Sequence, residues 1–186
     1  MEIILMRHGK PSLKKHSAVA SYEMAQWIEE YNLSEIGADT APPEAISLVN
    51  KIGLIATSTL PRALSSVKAL GATPSIADSV FCEAELPVMR LPLIRLSPFT
   101  WAFVFRIFWL CGLSKKVESY REAKQRSIQA VDKLSSLSER TSGAVLLLGH
   151  GIMNRLIAKQ LKHQGWEKEI TQGKDYWSFA IFKKPE

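Results

Sequence analysis

A chain of 186 residues that is 46% hydrophobic and 23% charged can bury roughly two thirds of its unfolded surface in one core, and its lack of repeats or low-complexity tracts argues against solenoids and disorder. The formal charge of +6, from 24 Lys plus Arg against 18 Asp plus Glu, favours anionic partners, but the basic residues are scattered and not interleaved with aromatics, which argues against nucleic acid. Cys82 and Cys111 are far apart and outside any CxxC, so neither a disulfide framework nor a thiolate metal site is indicated and both read as buried packing; with no leader-like segment ahead of the first strand, the expected compartment is the cytoplasm.

The first strand is predicted over residues 2–7, an apolar run that delivers Arg7, His8 and Gly9, with a loop through Pro11 and Ser12 after it. From about Ser17 the residues Ala20, Met24, Trp27, Ile28 and Tyr31 recur at three- and four-residue spacing and predict one amphipathic helix. Pro42-Pro43 can start a short helix carrying Ala45, Ile46 and Val49. A second strand is predicted over 52–57; Thr59 is a good N-cap and Pro61 suits the first turn of a helix through Arg62, Ala63, Val67 and Leu70. A third strand is predicted over 76–81, with Cys82, Glu83 and Glu85 just past it.

Residues 87–98 are proline-punctuated, and 99–113 hold Trp101, Phe103, Phe105, Phe108 and Trp109. A long charged helix from Ser119 to about Ser138 precedes a strand over 144–149, which runs into His150-Gly151; a helix over 152–162 and a last strand near 176–182 complete the pass. Repeated strand, loop and helix units with strands buried on both faces predict a three-layer α/β/α sandwich with a mostly parallel central sheet.

Two strand ends each present a histidine followed by glycine, where ligands of such sheets gather. Metal ligation, acid/base work, nucleophilic attack and plain structure are the readings open to such a pair. Metal would want a third ligand at a recognisable spacing, and no HxH or HExxH is present, while His16 and His163 stand in solvated-looking contexts. A serine triad lacks its GxSxG elbow. Arginine decides the matter: Arg7 adjoins His8, and Arg62 opens a helix whose free N–H groups already favour an anion. Permanently charged planar forks suit phosphate oxygens, so the set reads as a phosphate pocket containing imidazoles.

The sequence here resembles the histidine phosphatase superfamily, with its phosphoglycerate mutase-like fold. Leu5-Met6-Arg7-His8-Gly9 is similar to that family's N-terminal signature, Thr57-Ser58-Thr59-Leu60-Pro61-Arg62-Ala63 to its second arginine motif, Gly149-His150-Gly151 to its late histidine motif, and Glu118-Ser119-Tyr120-Arg121-Glu122, with Arg126 beyond, to its Glu-Ser segment. The resemblance implies one domain over 1–186, His8 as the nucleophile that accepts a phosphoryl group, and Arg7, Arg62 and His150 as holders of its oxygens. It implies Glu83 as the acid/base carboxylate, with Glu85 as runner-up, because Ala84-Glu85-Leu86-Pro87 departs from the family's usual continuation. Lys10-Pro11 also departs from the usual Glu-Thr, and Lys10 is a candidate for extra charge near the phosphate. Gly149 stands where Ser is common, and Asn154 is read as orienting the loop.

The implied activity is phosphomonoester hydrolysis of a small phosphorylated metabolite, with no metal or organic cofactor. The alternatives are a phosphoglycerate-type mutase and a non-catalytic adaptor that binds phosphorylated ligands. The aromatic run, within an insert at about 87–117, is too short to span a membrane. It reads as a lid, as a homodimer or membrane-surface patch, or as ordinary core. As a lid it could meet an apolar part of the substrate, with Arg95 or Arg106 meeting further negative charge.

Overall fold

The computed structural model describes residues 1–13, 17–91 and 94–185. In chain order the elements are β1 (Glu2–Arg7), β2 (Val19–Ala20), α1 (Met24–Leu33), α2 (Pro43–Val49), β3 (Ile52–Thr57), α3 (Pro61–Ala69), β4 (Ile76–Ala77) and β5 (Arg95–Leu96). Then follow α4 (Pro98–Leu110), α5 (Tyr120–Glu139), β6 (Ala144–Gly149), α6 (Gly151–His163), β7 (Glu167–Gln172) and β8 (Phe179–Lys183). Single 3-10 turns at Ser21–Glu23 and Ser79–Phe81 join β2 to α1 and follow β4.

Six strands form one sheet in the order β4-β3-β6-β1-β8-β7. The first four are mutually parallel, and β8 runs antiparallel between β1 and β7. The apolar run of β1 alternates its side chains between faces. Ile3 and Leu5 join Val145, Leu147 and residues of α5 and α6 in one core, while Ile4 and Met6 join Leu146, Leu148 and residues of α2 and α3 in another. Helices therefore cover both faces, giving the three-layer α/β/α sandwich expected of strands that are apolar on both sides. A third cluster joins Met24 and Trp27 of α1 to Trp101 and Phe105 of α4, beside the two-stranded pair β2-β5.

Register positions the chemistry. Arg7 pairs with Gly149, and Thr57 with Leu148, so the carboxyl ends of β1, β3 and β6 are level. His8, Ser58 and His150 leave the sheet side by side at that edge.

Five local expectations are corrected. The helix expected from Ser17 begins at Met24, because Val19 and Ala20 are taken into a strand pair with Leu96 and Arg95. Thr59 does not cap α3: the N-cap is Leu60, with no side-chain cap bond, and the Thr59 hydroxyl lies 3.3 Å from the Cys82 thiol. The third strand is only Ile76–Ala77, because the Asp78 carboxylate accepts the Val80 N–H at 2.8 Å and turns the chain into a 3-10 turn. The last strand starts at Phe179, and β7, an edge strand with every residue exposed, was not foreseen. Cys82 is only partly buried and Cys111, the C-cap of α4, is exposed, so neither is fully buried packing.

Candidate functional site

β1 carries the chain to the sheet edge, where the His8 N–H donates to the Gly149 carbonyl at 3.0 Å. The His8 ring is 2% exposed, and its Nδ1 lies 2.7 Å from the Gly9 carbonyl oxygen. A carbonyl can only accept, so Nδ1 carries the proton and the lone pair is at Nε2. Burial, with the Arg62 guanidinium and to a lesser degree Arg7, lowers the His8 pKa to about 3, against the opposing effect of the Gly9 carbonyl. The imidazole is therefore neutral at pH 7, as a nucleophile must be. The loop after it is tightly held: the Gly9 N–H donates to Ser66 at 2.9 Å, and the Lys10 N–H donates to Asp39 at 2.6 Å. Gly9 is required there, since a Cβ would stand 2.6 Å from the Trp177 ring and 2.8 Å from the Asp39 carboxylate.

His150 is fully buried and is the N-cap residue of α6; its ring centroid lies 5.0 Å from that of His8. Its Nε2 is 2.6 Å from the Ser58 hydroxyl. That hydroxyl also accepts the Leu60 N–H at 3.3 Å; with its one proton and a second lone pair still free it can donate to Nε2 or accept from it, and the first arrangement puts the proton of the neutral ring on Nδ1. Burial, then Arg62 and the neighbouring His8, hold the His150 pKa well below the ordinary histidine value.

The depressed pKa has a consequence for stability. With the folded pKa of His8 near 3 and the unfolded one near 6.5, the unfolded chain takes up the proton first on acidification. The contribution is intact above about pH 6.5 and lost as pH falls through about 3, amounting to about 5 kcal/mol. Denaturation midpoints should fall across that window. In NMR spectra the ring resonances of His8 and His150 should keep neutral shifts down to pH 5; a protonation step near pH 6.5 in either ring would contradict the assignment.

The arginines surround this pair. Arg62, 1% exposed, lies over the Tyr31 ring at 4.6 Å and donates to the Tyr31 carbonyl at 3.1 Å and to the Asn32 side chain at 3.4 Å. Arg7 lies over the Tyr176 ring at 4.4 Å and meets Asp175 at 3.2 Å. Both guanidiniums act electrostatically on both imidazoles. Arg7 Nε, Arg62 Nε and His150 Nδ1 are buried with no hydrogen-bond partner among the described residues. Buried donors are nearly always satisfied, so the two guanidinium Nε–H groups, joined by His150 Nδ1 in the tautomer that protonates it, suit an anion with several acceptor oxygens.

Glu83 closes the remaining side. Its Oε1 accepts the N–H groups of Ala84 and Met153, and its Oε2 that of Ile152, at 2.9–3.1 Å, so the carboxylate sits on the first turn of α6. An ideal Cβ on Gly151 would be 3.6 Å from Arg7 Nε and 3.9 Å from Glu83 Oε2, so the two groups flank the first residue of α6. Arg126 supports the segment before Glu83: it pairs with Glu118 at 2.6 and 2.7 Å and donates to the Val80 and Cys82 carbonyls at 2.9 and 2.8 Å. Asn154 donates to the Met6 carbonyl at 2.9 Å and so ties α6 to β1.

Arg7, Arg62 and Glu83 open into a cleft of about 800 Å³ that Glu85 and Arg106 also line, among others, whereas His8 and His150 are not among its lining residues. The Glu85 carboxylate accepts the Glu118 N–H at 2.8 Å. Arg106 spends its guanidinium on the Glu85 and Ala84 carbonyls, at 3.1 and 2.9 Å, and stacks on Trp109. Lys10 is exposed and does not line the cleft, nor does Arg95, which pairs with Glu23 at 3.2 Å. His163 is exposed, and His16 lies outside the described residues. Among the described residues, no three or more His, Cys, Asp or Glu side chains gather to hold a metal ion, and no helix is long and apolar enough to cross a membrane.

Sequence reasoning brought together Arg7, His8, Arg62, Glu83 and His150, but did not find Ser58 as the partner of His150, nor Tyr31 and Tyr176 as platforms for the guanidiniums. A serine and two tyrosines carry no local signal of such roles; only the tertiary fold sets them against the ring and the arginines.

A family model described as "Histidine phosphatase superfamily (branch 1)" matches residues 3–181. No curated protein matches the chain. Among solved structures, the chain is similar to the product of an open reading frame of Mycobacterium tuberculosis, with a TM-score of 0.64 and 16% identity over 97% of this chain and 89% of that one. It is similar to a phosphoglycerate mutase from Bacillus anthracis, with a TM-score of 0.56 and 14% identity over 98% and 88% of the two chains. An α-ribazole phosphatase from Shigella flexneri gives a TM-score of 0.52 and 14% identity over 87% and 79%. At these identities the structural likeness is one of fold.

Proposed function

The chain belongs to the histidine phosphatase superfamily, and we propose that it is a phosphomonoester hydrolase that works through a covalent phosphohistidine on His8. The observation that carries this reading is the set of buried, unpartnered nitrogens, Arg7 Nε, Arg62 Nε and His150 Nδ1, around two neutral imidazoles; with the Ser58 hydroxyl donating to Nε2, His150 presents its Nδ1–H to the same anion. In the first step His8 Nε2 attacks phosphorus, forming the N–P bond as the ester P–O bond breaks in line. The three donors hold the equatorial oxygens as charge spreads onto them. The departing alkoxide takes a proton from Glu83, whose Oε2 accepts only one N–H and retains a lone-pair side to carry it. In the second step water attacks the phosphohistidine, gives its proton to Glu83, and inorganic phosphate leaves with His8 restored. Neither step needs a metal or an organic cofactor.

Release of inorganic phosphate from a monoester panel, with acid-labile and base-stable phosphate trapped on the protein, tests the reading. Return of the phosphoryl group to a second alcohol instead of water would favour a mutase. Glu83→Gln should lower kcat about 10²–10⁴-fold on alkyl esters, whose leaving oxygen needs a proton. The loss should be far smaller on p-nitrophenyl phosphate, whose leaving group needs none. Equal losses on both, or a larger effect of Glu85→Gln on alkyl esters, would move the acid elsewhere.

A further inference from the structure

α4 has two apolar faces and only one of them is covered. Trp101, Phe105 and Trp109 are buried in it, whereas Phe99, Phe103, Ile107 and Leu110 are 59%, 68%, 44% and 57% exposed. The buried face fixes the helix: the Trp101 indole donates to the Val19 carbonyl at 2.9 Å and the Trp109 indole to the Glu118 carbonyl at 2.6 Å. The four exposed residues line the same cleft as Arg7, Arg62 and Glu83. An apolar stripe of this length on a folded chain marks a binding surface, and here it shares its cleft with the phosphate donors.

An aromatic series connects the two. Arg62 stacks on Tyr31 at 4.6 Å, Tyr31 on Trp27 at 5.2 Å, and Trp27 meets Phe99 edge-on at 5.3 Å. Two charges that share the cleft already have partners: Arg106 two backbone carbonyls, and one oxygen of Glu85 the Glu118 N–H. The other charged side chains that line the cleft, beyond Arg7, Arg62 and Glu83, are Lys116 and Arg155.

Resting on the hydrolase reading above, we propose that the leaving alcohol is apolar: the site takes phosphate monoesters of hydrophobic alcohols, dissolved singly, with the hydrocarbon laid along Tyr31, Trp27, Phe99 and Phe103. Burying each methylene there contributes binding that a polar alcohol lacks, and a pocket with a few polar groups at one point and apolar walls elsewhere is the usual form of such a site.

The test is kcat/KM for linear alkyl phosphates from ethyl to decyl, kept below their aggregation concentration, beside phosphoserine, 3-phosphoglycerate and glucose 6-phosphate. Alongside it, calorimetry compares methylphosphonate with octylphosphonate, which cannot be hydrolysed. Efficiency should rise by up to about fourfold per methylene, octyl phosphate should exceed every polar ester at least about tenfold, and octylphosphonate should bind at least about tenfold tighter than methylphosphonate. Phe103→Ser should flatten the chain-length dependence of both turnover and binding.

Polar esters turned over as well as octyl phosphate, with phosphate still trapped on His8, would overturn the apolar substrate and leave the hydrolase standing. No turnover of any ester, with octylphosphonate still bound more tightly, would end the hydrolase reading and keep the apolar ligand. Equal binding of the two phosphonates would overturn the inference. So would turnover confined to esters carried in phosphatidylcholine vesicles, which gives the face to a bilayer, or a dimer dissolved by Phe103→Asp with no chain-length dependence, which gives it to a second copy.

Discussion

Replacing His8 by Ala is expected to remove phosphoenzyme formation altogether and to lower kcat at least about a thousandfold, the scale on which enzymes lose rate with their nucleophile. The fold should persist. The ring is buried at a sheet edge, but the strand pairing of β1 with β6 and β8 is made by backbone groups that the substitution leaves intact, so far-UV circular dichroism should match that of the parent. His150→Ala should behave differently: with Nε2 of His8 still in place, phosphate should still be trapped, more slowly, by about a hundredfold for one lost donor. Quenched single-turnover experiments on both variants check the division of labour. Normal turnover in His8→Ala would remove the nucleophile from this ring.

Arg62→Met should separate activity from stability. The guanidinium is buried, stacked on Tyr31 and bonded to the Tyr31 carbonyl and the Asn32 side chain, with no carboxylate in ion-pair contact among the described residues. Burial alone pulls its pKa down, partly offset by Tyr31 and Glu83. Holding such a charge is unfavourable for the folded protein, and apolar replacement of similar length is often neutral or stabilising. The expected result is a Tm no lower than the parent's together with a kcat reduced about 10²–10³-fold, equivalent to about 3–4 kcal/mol of lost transition-state stabilisation. Inorganic phosphate should raise the parent's Tm by mass action and leave that of the variant nearly unchanged. A variant that is both less stable and still responsive to phosphate would show Arg62 to be a structural residue.

Much of the sheet was readable because its central strands are continuous apolar runs between breakers. The bounds 2–7, 52–57 and 144–149 match β1, β3 and β6. The Arg7-His8 and Gly149-His150 pairs were readable for the same reason, since each sits where such a run stops. β7 was not, because Glu167–Gln172 is an exposed edge strand whose residues bury nothing and so show no period. The start of α1 was misplaced because apolar spacing continues back to Ala20, while the pairing that claims Val19–Ala20 comes from Arg95–Leu96, far along the chain. The same limit hid the Ser58 and tyrosine partners in the site: nothing near them in sequence identifies a contact made across the fold.

The place of β1 in the strand order bears on how the molecule is born. Its two neighbours are β6 and β8, from residues 144–149 and 179–183. During synthesis, the run Ile3-Ile4-Leu5-Met6 must therefore wait, sticky and unmated, until β6 and β8 have left the ribosome. Contacts so distant in sequence close slowly, and a waiting hydrophobic strand invites chaperone capture or aggregation. The same late closure that mates β1 brings His8 to His150, so a nascent chain halted before β6 emerges lacks the second imidazole.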